Sequence, residues 1–160
     1  MKKKLVLSLG SNLGNRYAYI RQAIKHIEEF FEMKCVCSNY YTTPPWGETN
    51  QSQFINMALY LETHKSIDDC LALLQAIELQ MGRVKTKKWG PRSIDIDILF
   101  YEDKQVITEA LTVPHPHMHE RVFVLKPVCD IVPNFVHPVL KVTMNNLLRE
   151  LADDSMLFCN

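Results

Sequence analysis

Asp95 and Asp97 are the residues of this chain best suited to do chemistry. They lie in the stretch Trp89-Gly90-Pro91-Arg92-Ser93-Ile94-Asp95-Ile96-Asp97-Ile98-Leu99-Phe100. The run from Ile94 onward alternates like a β-strand, with Ile94, Ile96, Ile98 and Phe100 on one face and both carboxylates on the other. Neighbouring like charges repel, and Asp is a poor strand former. A divalent cation would offset that repulsion, and Mg²⁺ takes one or two carboxylates together with substrate phosphates. An Asp-x-Asp strand alone is better explained by an amphipathic strand with a wet face. The flank favours chemistry: Arg83, Lys85, Lys87, Lys88 and Arg92 place five cations within ten residues beside the carboxylates. Metal-binding acids next to phosphate-binding bases suggest a nucleoside triphosphate site.

The rest of the chain must position that stretch. One domain over residues 1–160 is expected, with enough chain for a real core. Lys+Arg and Asp+Glu are both 18, which argues against a general nucleic-acid binder and makes the 83–92 cluster a local feature. The apolar run after Lys2-Lys3-Lys4 is too short for a signal peptide and reads as a buried strand. No stretch is long enough to span a membrane. The five cysteines are odd in number and irregularly spaced, which suggests reduced thiols in a cytoplasmic protein.

In chain order, Lys4–Leu9 reads as a strand and Gly10–Arg16 as a turn. That turn lacks the G-K-[ST] ending of a Walker A loop. Arg16–Phe31 reads as a helix with an apolar stripe of Ile20, Ala23, Ile24, Ile27 and Phe31. A second strand is expected over Lys34–Tyr41. A third, Phe54–Glu62, should carry Ile55, Met57, Leu59 and Leu61 on one face and Phe54, Asn56, Ala58 and Tyr60 on the other. Ser66 opens a capped helix that ends at Gly82. The order β-α-β-β-α-β predicts an α+β, ferredoxin-like sandwich with an antiparallel sheet. Both helices should cover one face and leave the other open. Beyond it, a hairpin near 101–106 and short helices within 121–132 and over 144–151 are expected.

Six motifs in order along residues 5 to 125 together resemble the 6-hydroxymethyl-7,8-dihydropterin pyrophosphokinase family of folate biosynthesis. They are Gly10-Ser11-Asn12; Thr43-Pro44-Pro45 with Phe54-x-Asn56; Glu78-x-x-x-Gly82-Arg83; Trp89-Gly90-Pro91-Arg92; Asp95-x-Asp97; and Val113-Pro114-His115 with Arg121-x-Phe123. The resemblance implies an ATP-dependent pyrophosphokinase that moves the β,γ-pyrophosphoryl group of ATP to the pterin hydroxymethyl group and releases AMP. It implies two Mg²⁺ ions on Asp95 and Asp97, with Arg83 and Arg92 completing the catalytic set. It places ATP against Gln75, Glu78, Arg83, Lys85, Trp89, Arg92, Ile98, Leu111, Thr112, His115 and Arg121. It places the pterin against Thr43, Pro44, Pro45, Trp46, Phe54, Asn56, Asp95 and Phe123, with its ring between Phe54 and Phe123. Lys85 stands where an Arg is common, which weakens bidentate phosphate binding there, and Ala110 replaces a basic residue of some members. The expected partners are small molecules, with no nucleic acid and no membrane, in a cytoplasmic monomer. The main rival is a metal-dependent hydrolase that reads Asp95, Asp97 and His115, with His117 and His119, as a zinc or manganese site. An RNA-binding module on a similar sheet is disfavoured, because open-face aspartates would repel phosphate.

Overall fold

The computed structural model describes residues 1–43, 53–82 and 93–151, together with the backbone of 158–159. Pro44, Pro45, Trp46, Arg83, Lys85, Trp89 and Arg92 lie outside the described residues.

The sheet is built on β1 (Lys3–Ser11), flanked on one side by β4 (Phe54–Thr63) and on the other by β5 (Asp95–Tyr101). β1 pairs antiparallel with β4 from Lys3↔Thr63 to Ser11↔Ile55, and with β5 from Leu5↔Tyr101 to Gly10↔Asp95. β2 (Val36–Cys37) and β3 (Tyr41–Thr43) both pair antiparallel with β4, and β8 (Phe158–Cys159) extends the sheet beyond β3. The single strand expected over Lys34–Tyr41 is therefore broken in two. At the break the Ser38 hydroxyl accepts the Ala58 N–H at 2.8 Å, so a side chain replaces a ladder carbonyl.

Helices α1 (Arg16–Phe31) and α2 (Ile67–Gln80) form where the apolar stripes and caps place them. Asn15 and Ser66 each accept a backbone N–H of the first turn at 3.1 Å, and Gly82 turns left-handed (φ 86°) past the end of α2. Both helices pack on the same face of the sheet. Ile20, Ile27, Leu74 and Ile77 meet Leu5, Leu7, Leu9, Ile55, Met57 and Leu59 in the main core.

The second face is not left open, as the sequence reading supposed. Its lower half is covered by α3 (Val122–Ile131) and α4 (Met144–Leu151), whose Val124, Leu125, Val128, Met144 and Leu147 pack on Val6, Ala58, Leu99 and Phe100. Phe100 corrects a second expectation. The β1–β5 register shifts between Val6 and Leu7, so Leu99 is an extra residue in the ladder. That bulge turns Phe100 away from Ile96 and Ile98 and onto Phe135, ring centroids 4.6 Å apart. The hairpin also falls later than expected, as β6 (Val106–Ile107) with β7 (Thr112–Val113). β5 runs to Tyr101, and Glu102 then closes its end by donating its N–H to the Lys4 carbonyl at 2.8 Å. Among the described residues no helix is long and apolar enough to cross a membrane.

Candidate active site

The strand register assembles the site. Gly10 lies opposite Asp95 on one side and Asn56 on the other, and Asn56 in turn lies opposite Tyr41. One row further along, Ser8 lies between Asp97 and Ala58. Because strand side chains alternate, Asp95, Asp97, Ser8, Gly10, Phe54 and Asn56 share one face. They occupy the half of it that α3 and α4 leave uncovered.

A cavity of about 450 Å³ opens there. It wraps around β5, the outermost strand, and so reaches residues from both sides of the sheet. Thr43, Phe54, Asn56 and Gly10 form one end, faced by Arg121, Phe123 and Val124 from the start of α3. Leu71, Leu74, Gln75 and Glu78 of α2, with Ala110 and Leu111 of the hairpin, form the other end. Asp95, Asp97 and His115 lie between. Of the described residues that the resemblance assigns to ATP, pterin or metal, only Thr112 is not in the wall; it pairs with Ile107 in the hairpin. The wall also includes residues to which the sequence assigns no site role: Ser8, Leu71, Leu74, Ile96 and Val124. Ser8 is legible in the sequence, since with Gly10 it fills the positions between and beyond Leu7 and Leu9 and so faces away from the leucines of β1. Leu71 lies one helical turn before Gln75 and therefore on its face.

The polar groups of the wall have distinct environments. Asn56 is buried, 7% exposed, and its Nδ2 has no hydrogen-bond partner among the described residues. An orphaned amide donor at a cavity wall is matched by a ligand that brings an acceptor. Gly10 makes room for Asn56: a Cβ there would lie 2.9 Å from Asn56 Oδ1. Burial, reinforced by Arg121 and His117, pushes the His115 ring down to about 4 against the weaker opposite pull of Asp95. The ring is therefore neutral at pH 7. Its Nδ1 accepts the His117 N–H at 3.3 Å, which leaves the proton on Nε2 as a donor. Glu78 is buried, and its Oε2 accepts the Ile96 N–H at 2.8 Å. The Arg121 guanidinium carbon lies 6.0 Å from the centroid of the Phe123 ring, placing a cation beside an aromatic wall.

Asp95 and Asp97 are half-buried carboxylates on one cavity wall, a hard-oxygen donor set that fits Mg²⁺ and leaves coordination positions for phosphate. The zinc-type rival is not supported. Among the described residues no group of three or more His, Cys, Asp or Glu side chains gathers to hold a metal. His117 and His119 instead lie 3.5 and 3.6 Å from the carboxylate oxygens of Glu120.

The chain is similar to proteins already known. Residues 6–133 match the family described as 7,8-dihydro-6-hydroxymethylpterin-pyrophosphokinase. The chain is 42% identical over 144 residues to the 2-amino-4-hydroxy-6-hydroxymethyldihydropteridine pyrophosphokinase of Aquifex aeolicus, covering 90% of this chain and 89% of that one. It is 41% identical over 126 residues to the Bacillus subtilis protein of the same name, covering 78% and 75% of the two. The folic acid synthesis protein FOL1 of Dictyostelium discoideum is 40% identical over 147 residues, 92% of this chain but 22% of that longer one. In fold, the chain resembles the Plasmodium falciparum HPPK-DHPS solved with pterin and p-hydroxybenzoate, at a TM-score of 0.72 and 18% identity. That match covers 94% of this chain and 44% of the other. With most of its length matched, this chain belongs to the 7,8-dihydro-6-hydroxymethylpterin-pyrophosphokinase family.

Proposed function

We propose that this protein transfers the β,γ-pyrophosphoryl group of ATP to the hydroxymethyl group of 6-hydroxymethyl-7,8-dihydropterin, giving the pterin pyrophosphate and AMP in folate biosynthesis. One observation carries the reading at the level of residues. A single cavity joins an aromatic end (Phe54, Phe123) with a buried amide donor (Asn56) to a carboxylate pair (Asp95, Asp97) and an α2-lined end (Leu71, Gln75).

The pterin ring lies between Phe54 and Phe123, where stacking is worth roughly 1–3 kcal/mol. Its polar edge meets the Asn56 amide and the main chain of Thr43, and the family resemblance adds Pro44, Pro45 and Trp46 as pterin-binding residues. The nucleoside occupies the end lined by Gln75 and Leu111. Ile98 has the same strand phase as Ile96, whose N–H points away from β1 to Glu78, so the Ile98 main chain is offered to the nucleobase. His115 donates to phosphate as a neutral group, while Arg121 supplies positive charge; the family resemblance adds Arg83, Lys85, Trp89 and Arg92 as further ATP-binding residues. Asp95 and Asp97 would hold the two Mg²⁺, and the chemistry these ions would supply is charge neutralisation of the triphosphate. Catalysis is then positioning and charge neutralisation by the wall residues, with the hydroxymethyl oxygen held facing the β-phosphorus.

The strand order and the antiparallel pairings support the finer fold assignment, a ferredoxin-like sandwich extended by the hairpin and two further helices. The protein acts on small molecules as a single pyrophosphokinase domain over 1–160, a cytoplasmic monomer without nucleic acid or membrane. The deciding experiment separates nucleotides chromatographically after incubation with ATP, Mg²⁺ and the hydroxymethylpterin. AMP should appear in step with pterin pyrophosphate. Stoichiometric ADP would replace the assignment with a simple kinase.

A further inference from the structure

We infer that Glu78 is a positioning residue, whose buried carboxylate holds the outer edge of β5 at Ile96 and so fixes the aim of Asp95 and Asp97. The inference rests on the proposed role of those two acids. β5 is the last strand on its side of the sheet, so its first residues pair with β1 alone. The ladder ends at Gly10↔Asp95. An edge so supported frays from its end, because half of its backbone groups lack a neighbouring strand. Ile96 is the residue between the two aspartates, and its N–H points outward. Glu78 Oε2 accepts that N–H at 2.8 Å from the fourth turn of α2. The bond is buried and joins residues 18 apart in sequence. Further along the same edge, the Leu99 carbonyl accepts the His115 N–H at 3.0 Å, so a side chain ties the start of the edge and a backbone group ties its end.

The bond depends on the acceptor oxygen of Glu78 rather than on its charge. A glutamine keeps the length and a carbonyl oxygen, so it can accept the same N–H. An aspartate keeps the charge but is one methylene short, and alanine has no acceptor. Loss of the bond frees the Ile96 amide and lets the two carboxylates change their relative orientation. Partners of this kind change metal affinity by roughly 10- to 100-fold when removed.

Two measurements on the full-length protein test this. The first is amide hydrogen exchange at Ile96 without metal or nucleotide. The second is Mn²⁺ binding, followed by electron paramagnetic resonance with a non-hydrolysable ATP analogue present. Glu78→Gln should keep slow exchange at Ile96 and Mn²⁺ affinity within about threefold of wild type, well inside the loss expected from a missing partner. Glu78→Asp and Glu78→Ala should speed that exchange by about tenfold or more and weaken Mn²⁺ by roughly tenfold. If the alanine variant does not fold, the Asp and Gln pair carries the same test. Weak binding by Glu78→Gln with Ile96 still protected would overturn the inference and make Glu78 a direct ligand. Fast exchange in Glu78→Asp with unchanged Mn²⁺ affinity would overturn it in favour of a purely structural tie. Asp97→Asn is the control: unchanged Mn²⁺ affinity there would reject the metal role of the acids, and this inference with it.

Discussion

Replacing Gly10 with alanine should separate pterin binding from both stability and nucleotide binding. Gly10 lies one pair from the end of the β1–β4 ladder, opposite Asn56, and its backbone is ordinary strand. A Cβ built there would stand 2.9 Å from Asn56 Oδ1 and 3.6 Å from Phe54 Cδ1. Ordinary contact begins at about 3.4 Å, so the Asn56 amide must retreat by about 0.5 Å. Asn56 is buried and cannot swing to solvent, so it leaves its preferred rotamer at a cost of about 0.5–1.5 kcal/mol. Removing a glycine from a strand interior contributes about 0.5–1 kcal/mol in the opposite direction. The two nearly cancel, and the melting temperature should move by no more than about 4 °C. Binding has no such compensation. A displaced Asn56 leaves the pterin edge short of hydrogen bonds, worth about 1–3 kcal/mol, or roughly a 5- to 150-fold loss of affinity. Calorimetric titration of the pterin with Mg²⁺ and a non-hydrolysable ATP analogue measures the loss, and titration of the analogue alone measures the control. Pterin affinity within twofold of wild type would refute the role given to Asn56. An equal loss for the nucleotide would show that the change spreads beyond one end of the cavity.

Phe123→Ala should weaken pterin binding by roughly 1–3 kcal/mol with little change for ATP; equal losses with a fall in melting temperature would instead make Phe123 a core residue. His137 provides a pH test. Burial first, and His119 second, push its ring down to about 4, while the unfolded chain takes up that proton near 6.5. The unfolded state therefore binds more protons between those values, and stability should fall as pH drops from about 6.5 toward 4. His137 Nδ1 also accepts the Val139 and Leu140 N–H groups, both at 3.1 Å. His137→Asn should accordingly melt lower at pH 7 but lose less on acidification, and melting curves at stepped pH read both; a slope equal to that of wild type would contradict the assignment.

Local pattern along the chain set the elements and their faces wherever short-range physics was sufficient. The stripe of Ile20, Ala23, Ile27 and Phe31 made α1, the Ser66 cap and Gly82 bounded α2, and strict alternation put Asn56 on the face opposite Ile55 and Met57. It also brought the two aspartates together, because a period of two fixes neighbours on a face without reference to anything distant. Features that depend on non-local contact emerge only in the folded chain. Alternation assigned Phe100 to the wrong face, because a bulge is a mismatch between two strands and neither strand carries it alone. The break between β2 and β3 depended on Ser38 finding the Ala58 N–H, 20 residues away. That α3 and α4 cover half of the second face follows from their packing on Val6, Ala58 and Phe100, which periodicity in one segment does not reveal. Glu78 shows the limit most plainly. Its place among motif residues was legible from the chain, but its bond to the Ile96 N–H exists only because α2 packs beside the outer edge of β5.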